Sequence, residues 1–62
     1  MEQFTATAHR EGDWWVIEVP ELGQTTQTRE ATDIDDMARD LIAIMRNVDP
    51  SEVKVTVTTL NR

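Results

Sequence analysis

Cysteine is absent from the chain. Disulfide staples and thiolate metal sites are thereby excluded. A single histidine, His9, is too few for a histidine-rich metal site. Cations are scarce as well: 6 Lys and Arg stand against 12 Asp and Glu, a net charge of -6. They are also scattered, as Arg10, Arg29, Arg39, Arg46, Lys54 and Arg62. Nucleic acid is held by clustered cations that release its counterions, so direct nucleic-acid binding by this chain alone is disfavoured. An acidic balance suits a basic protein partner, and equally serves plain solubility. No apolar run approaches the ~20 residues of a membrane span, and residues 1–13 hold no apolar stretch of signal-peptide length. The expectation is a cytoplasmic protein without membrane contact. Its 62 residues fit one domain, 1–62, and a chain of this size buries only about 60% of its unfolded surface. With neither disulfide nor metal to help, self-association into a homodimer or higher oligomer, or a partner protein, is expected to complete its stability.

What is present is strongly patterned. QFTATAHRE, residues 3–11, alternates Phe4, Ala6 and Ala8 against Thr5, Thr7 and His9, the period of a half-buried strand. WWVIEVP, residues 14–20, does the same. Gly12-Asp13 between them fits a two-residue type II′ hairpin turn with glycine first. Glu11 then pairs with Trp14, Arg10 with Trp15, Ala8 with Ile17 and Ala6 with Val19. Side chains alternate across a strand, so the adjacent tryptophans must part. Trp15 joins Phe4, Ala6, Ala8, Ile17 and Val19 on a core face, while Trp14 joins Thr5, Thr7, His9, Glu11, Val16 and Glu18 on the other.

PELG is turn-forming, and Gln24 to Thr28 reads as a short polar edge strand with β-propensity from threonine and almost nothing to bury. The period then changes. Ile34, Met37, Ala38, Leu41, Ile44, Met45 and Val48 recur three and four apart, the stripe of an amphipathic helix. Thr32 with Asp35 resembles a capping box, and Asp33, Asp35 and Asp36 crowd the end where the helix dipole favours negative charge. Pro50 pushes Asp49 out of helical geometry, so the helix is expected to stop near Val48. In the last strand, EVKVTVTTL, Val53, Val55 and Val57 oppose Lys54, Thr56 and Thr58. The order is α+β, with one helix covering one face of a mostly antiparallel sheet and the other face bare. Alanines at 6 and 8 leave room for a helix above them, which places the first strand centrally.

These residues resemble a known family. WVIEVPELG followed by TQTREATDIDDMARDLIAIM is similar to the HicB-like antitoxins, whose small domain reads as a strand ending E-V-P-(D/E)-L-P-G, a T-Q-G edge strand and a helix. The likeness covers residues 4–60. Glu18-Val19-Pro20-Glu21-Leu22-Gly23 and Thr26-Gln27 lie at the family's spacing. The resemblance implies a β-β-β-α-β, partial ribonuclease-H-like (HicB-like) fold, with a four-stranded sheet in the order 3-2-1-4. It further implies a role in a type II toxin–antitoxin system, binding and masking a small basic mRNA interferase of the HicA type, without catalysis. Two departures matter. The family's second proline is missing between Leu22 and Gly23, which shortens the turn, and no separate DNA-binding domain is expected, nor autorepression by this polypeptide.

Candidate chemistry is thin. A ribonuclease-H centre needs carboxylates converging on two metal ions, one of them on the central first strand, and FTATAH supplies none. Glu18 and Asp40 remain, with Asp40 expected on the solvated helix face. His9 has no identifiable nucleophile beside it and reads as an exposed strand histidine. The aspartates at 33, 35 and 36 lack the alternating ligands and glycine of a calcium loop, and helix capping accounts for them. No catalytic, cofactor or metal residues are therefore assigned, and no cofactor is expected. Trp14 is different, because an outward tryptophan beside Val16 makes an apolar spot on a bare sheet, and tryptophan concentrates binding energy at interfaces. Trp14, Val16, Glu18, Glu21 and His9 are the candidate contact residues. Two functions fit: an antitoxin-like binder of a basic toxin, or a solitary homo-oligomeric module that regulates or binds a small ligand.

Overall fold

Alternation and helical periodicity resolve, in a computed structural model, into four strands and one helix. The structure describes residues 2–60; Met1, Asn61 and Arg62 lie outside the described residues. β1 (Glu2–Glu11), β2 (Trp14–Val19), β3 (Gln24–Thr28), α1 (Ile34–Arg46) and β4 (Val53–Leu60) follow in that order. The sheet order is β3-β2-β1-β4. β1 pairs antiparallel with β2 and β2 with β3, whereas β4 returns parallel to β1. The helix supplies the crossover that a parallel return demands.

The hairpin sets everything downstream. Glu11 lies opposite Trp14, Arg10 opposite Trp15 and Ala8 opposite Ile17, the register expected from a two-residue turn. Gly12 takes φ +61°, and Asp13 has no positive φ, the combination of a type II′ rather than a type I′ turn. One sheet face therefore collects Ala6, Ala8, Ile17 and Val19, all essentially inaccessible to solvent. They form one core with Ile34, Ala38, Ile42, Ala43 and Val53, and Phe4, Trp15, Leu22, Met37, Leu41, Val48, Val55 and Val57 pack against it. β1 is central, as its small residues suggested, but the helix makes its close backbone approaches to β4, β3 and β2. The alanines sit within the common core that the helix closes.

Several sequence expectations need correction at the helix. Its buried residues are Ile34, Ala38, Ile42 and Ala43, while Ile44 is 76% and Met45 47% exposed. Leu41 to Met45 are five consecutive apolar residues, so spacing alone does not choose a phase there. The sheet chooses it. No capping box forms between Thr32 and Asp35, because a 3₁₀ turn at Ala31–Asp33 runs directly into the helix and Asp33, the N-cap, makes no side-chain capping bond. Asp35 and Asp36 in the first turn and Arg46 in the last still complement the dipole.

Helix α1 ends at Arg46, two residues before Val48, because Asn47 enters the left-handed region at φ 58°. Val48 N–H donates to the Ala43 carbonyl at 3.0 Å and Asn47 N–H to that of Ile44 at 3.3 Å, the paired bonds of a Schellman ending. Asparagine tolerates this conformation better than other residues with a Cβ. Asn47→Ala is therefore expected to cost about 1–2 kcal/mol, and Asn47→Gly to be neutral or stabilising, as read by thermal melts. Beyond it, the Asp49 carboxylate accepts from the Ser51 N–H at 2.9 Å and the Ser51 hydroxyl at 2.8 Å. These bonds, the backbone one foremost, hold its pKa below the usual carboxylate value and shape the Pro50–Glu52 turn into β4.

Candidate interaction surface

The sheet face away from the helix is built by alternation across all four strands. One row runs Leu60, His9, Val16, Gln27, and the next Thr58, Thr7, Glu18, Thr25. Glu11 and Trp14 lie side by side at the hairpin end. Four of the five residues expected at an interface, His9, Trp14, Val16 and Glu18, are thus brought onto one surface. Glu21 is not among them. It sits in the 3₁₀ turn Pro20–Leu22, where its Oε1 accepts the Thr5 N–H at 2.8 Å and the Thr5 hydroxyl at 3.3 Å. That carboxylate stands in for a strand at the point where β2 turns away from β1, so its role within the described residues is to complete the sheet.

His9 is half-buried rather than exposed. Val16 and Leu60 flank it in the neighbouring strands, and its Nε2 lies 2.6 Å from Glu11 Oε2. Trp14 is 38% exposed, and the Arg29 guanidinium stands 4.9 Å from its ring centroid, within cation–π range. Arg29 and Leu60 were missed as members of this surface. Register contains the signal for both: Thr28, the last residue of β3, pairs with Trp15, so Arg29 just beyond it reaches Trp14, and Leu60 continues the Lys54, Thr56, Thr58 parity. Trp15 is half-buried against the core on the opposite face, as expected, with the Arg10 guanidinium 6.0 Å from its ring.

Carboxylates do not converge. Glu18 belongs to the bare face, whereas Asp40 is exposed on the helix across the sheet from it. The sheet itself separates them. Among the described residues, no group of three or more His, Cys, Asp or Glu side chains is placed to hold a metal ion, and no charged side chain is buried. A shallow groove of about 430 Å³ opens between His9, Arg10, Glu11, Glu18 and Leu60. A second, of about 460 Å³, lies on the helix side between Asp40, Ala43, Ile44, Asn47, Val48 and Pro50. Acidic side chains dominate the helix exterior, with Asp33, Asp35, Asp36 and Asp40 all exposed and Asp36 paired to Arg39 at 3.1 Å.

No family model matches the chain, and no curated protein or solved structure matches it. Among the described residues no helix is long and apolar enough to cross a membrane.

Proposed function

We propose that this protein is an antitoxin-like binder of the HicB-like kind, which masks a small basic mRNA interferase of the HicA type by protein–protein contact. The observation that carries this reading is the topology. The element order β-β-β-α-β and the sheet order 3-2-1-4 agree with the order that the resemblance of residues 4–60 implies. The acidic exterior supports it as well, since a net charge of -6 attracts a basic partner and steers its approach. Trp14, Val16 and Leu60 put apolar side chains on the bare face toward the hairpin end, with Glu11 and Glu18 on the same face. This chain itself performs no chemistry in this reading, in keeping with the separation of Glu18 from Asp40.

Mixing the purified protein with a basic HicA-type toxin and following RNA cleavage tests the proposal. Cleavage is expected to fall to background near equimolar protein, with an association rate that drops as salt screens the charges. This chain alone, with divalent metal, is expected to leave RNA intact. Undiminished cleavage at excess protein would overturn the masking role.

A further inference from the structure

Among the described residues the outer edge of β4 has no partner, because β4 pairs only with β1. One hydrogen bond fixes which of its backbone groups face out. Thr5 gives its N–H to Glu21 on the β2 side of β1, so alternation turns the backbone groups of Phe4, Ala6 and Ala8 toward β4. Phe4 lies opposite Val55 and Ala6 opposite Val57 in parallel register, and a parallel strand bonds to the residues flanking its partner. Lys54, Thr56 and Thr58 therefore spend their groups on β1. Val55, Val57 and Thr59 direct theirs outward, as does the Val53 carbonyl, while the Val53 N–H is spent on the Pro50 carbonyl.

This edge lacks the usual protections. It runs for 8 residues, VKVTVTTL, with no proline or glycine and one charge, Lys54, whereas free edges are ordinarily short, bulged or heavily charged. The opposite edge, β3, has 5 residues, QTTQT, and no apolar side chain. We propose that β4 pairs antiparallel with β4 of a second copy, about a two-fold axis through Thr56, joining the two sheets into one with both helices on the same face.

A second copy is favoured over other occupants because the strand is self-complementary. Antiparallel pairing about an axis normal to the sheet sets residues of the same face opposite each other. Centring it on Thr56 places Val55 against Val57 of the second copy and Val53 against Thr59 of the second copy. The outward backbone groups of Val55 and Val57 let each Val55–Val57 pair exchange both hydrogen bonds, and the Val53 carbonyl accepts one from Thr59 of the second copy, its own N–H being held by Pro50. Val55 and Val57, half-buried in one copy, become covered. Charge selects the same edge. Two copies of a chain at -6 repel, and Val53–Leu60 carries no carboxylate. A strand of this length spans about 26 Å and buries less than a standard interface of ~1,600 Å², so a reversible dimer in the micromolar range is expected.

The register makes a charge test possible. Thr58, on the bare face, falls opposite Lys54 of the second copy, twice by symmetry. In sedimentation equilibrium of the full chain, Thr58→Lys is expected to weaken the dimer by about fivefold and Thr58→Glu to strengthen it by a similar factor. Thr25→Lys and Thr25→Glu, on the same face of β3, are controls for net charge. Repulsion between acidic chains alone would give the opposite signs, with Glu weakening association at either position. Nor can a damaged fold mimic the result, since misfolding does not tighten a dimer. A monomer throughout the micromolar range, the absence of opposite effects at Thr58, or equal effects at Thr25 would each overturn the proposal. The test stands whether or not a toxin is bound.

Discussion

Ile17→Ala is expected to remove a large share of the chain's stability. Ile17, Ile42 and Val19 are the largest fully buried side chains, and Ile17 lies on β2, paired with Ala8 on one side and Thr26 on the other. Neither neighbour is large enough to fill the space an alanine would leave. Truncating a buried isoleucine costs about 2–5 kcal/mol, with the upper part of that range applying where the cavity cannot collapse. Against it stands a total stability of roughly 3–9 kcal/mol, scaled from ~0.05–0.15 kcal/mol per residue. In a domain this small each kcal/mol moves the melting temperature by about 4–8 °C. A fall of roughly 15–30 °C in thermal melts is the expected outcome, and a fall under about 5 °C would show that the core does not centre on Ile17.

Legibility from sequence followed how many constraints acted on each segment. The hairpin was fully readable because Gly12-Asp13 fixed the turn and two alternating runs fixed the faces; a slip of one residue would have put Ile17 and Val19 into water. β3 was readable from its polarity and flanking turns, and β4 from its alternating valines. The parallel return of β4 has no local signature, since it depends on where the helix delivers the chain. The helix phase was ambiguous across Leu41 to Met45, where every residue is apolar and only the sheet decides which side is inward. Asn47 ended the helix earlier than Pro50 required. Proline forbids continuation only near itself, whereas a left-handed asparagine is an active stop.

The candidate surface divides along the same line. His9, Trp14, Val16 and Glu18 share a face by strand parity, which sequence carries. Glu21 parts from them because its bond to Thr5 depends on how a 3₁₀ turn folds back over β1, a three-dimensional fact without a spacing rule. His9 is half-buried for a similar reason, with Val16 and Leu60 of neighbouring strands on either side of it.

The paired tryptophans give the second large effect, and here the contrast between two substitutions carries the weight. Trp15 packs on the core with the Arg10 guanidinium over its ring and is half-buried, so Trp15→Ala is expected to cost about 2–4 kcal/mol, somewhat below the ~3–5 kcal/mol of a fully buried aromatic. Trp14 is 38% exposed and stands outside the core, so its truncation gives up the contact with Arg29, worth about 0.5–1 kcal/mol, and part of its covered surface, without opening a cavity in the core. In thermal melts the first variant should therefore fall further than the second. Under the proposed masking role, the ranking should reverse per folded molecule. If Trp14 anchors the bare face to a basic partner, Trp14→Ala should weaken masking about tenfold or more, as the loss of an interface tryptophan does, while folded Trp15→Ala retains it. Arg29→Ala separates the two roles of Trp14. Removing the guanidinium uncovers the indole without shortening it, so stability should drop slightly and masking should persist. A melt in which Trp14→Ala proves the more damaging of the two would make Trp14 a structural residue and deprive the bare face of its anchor.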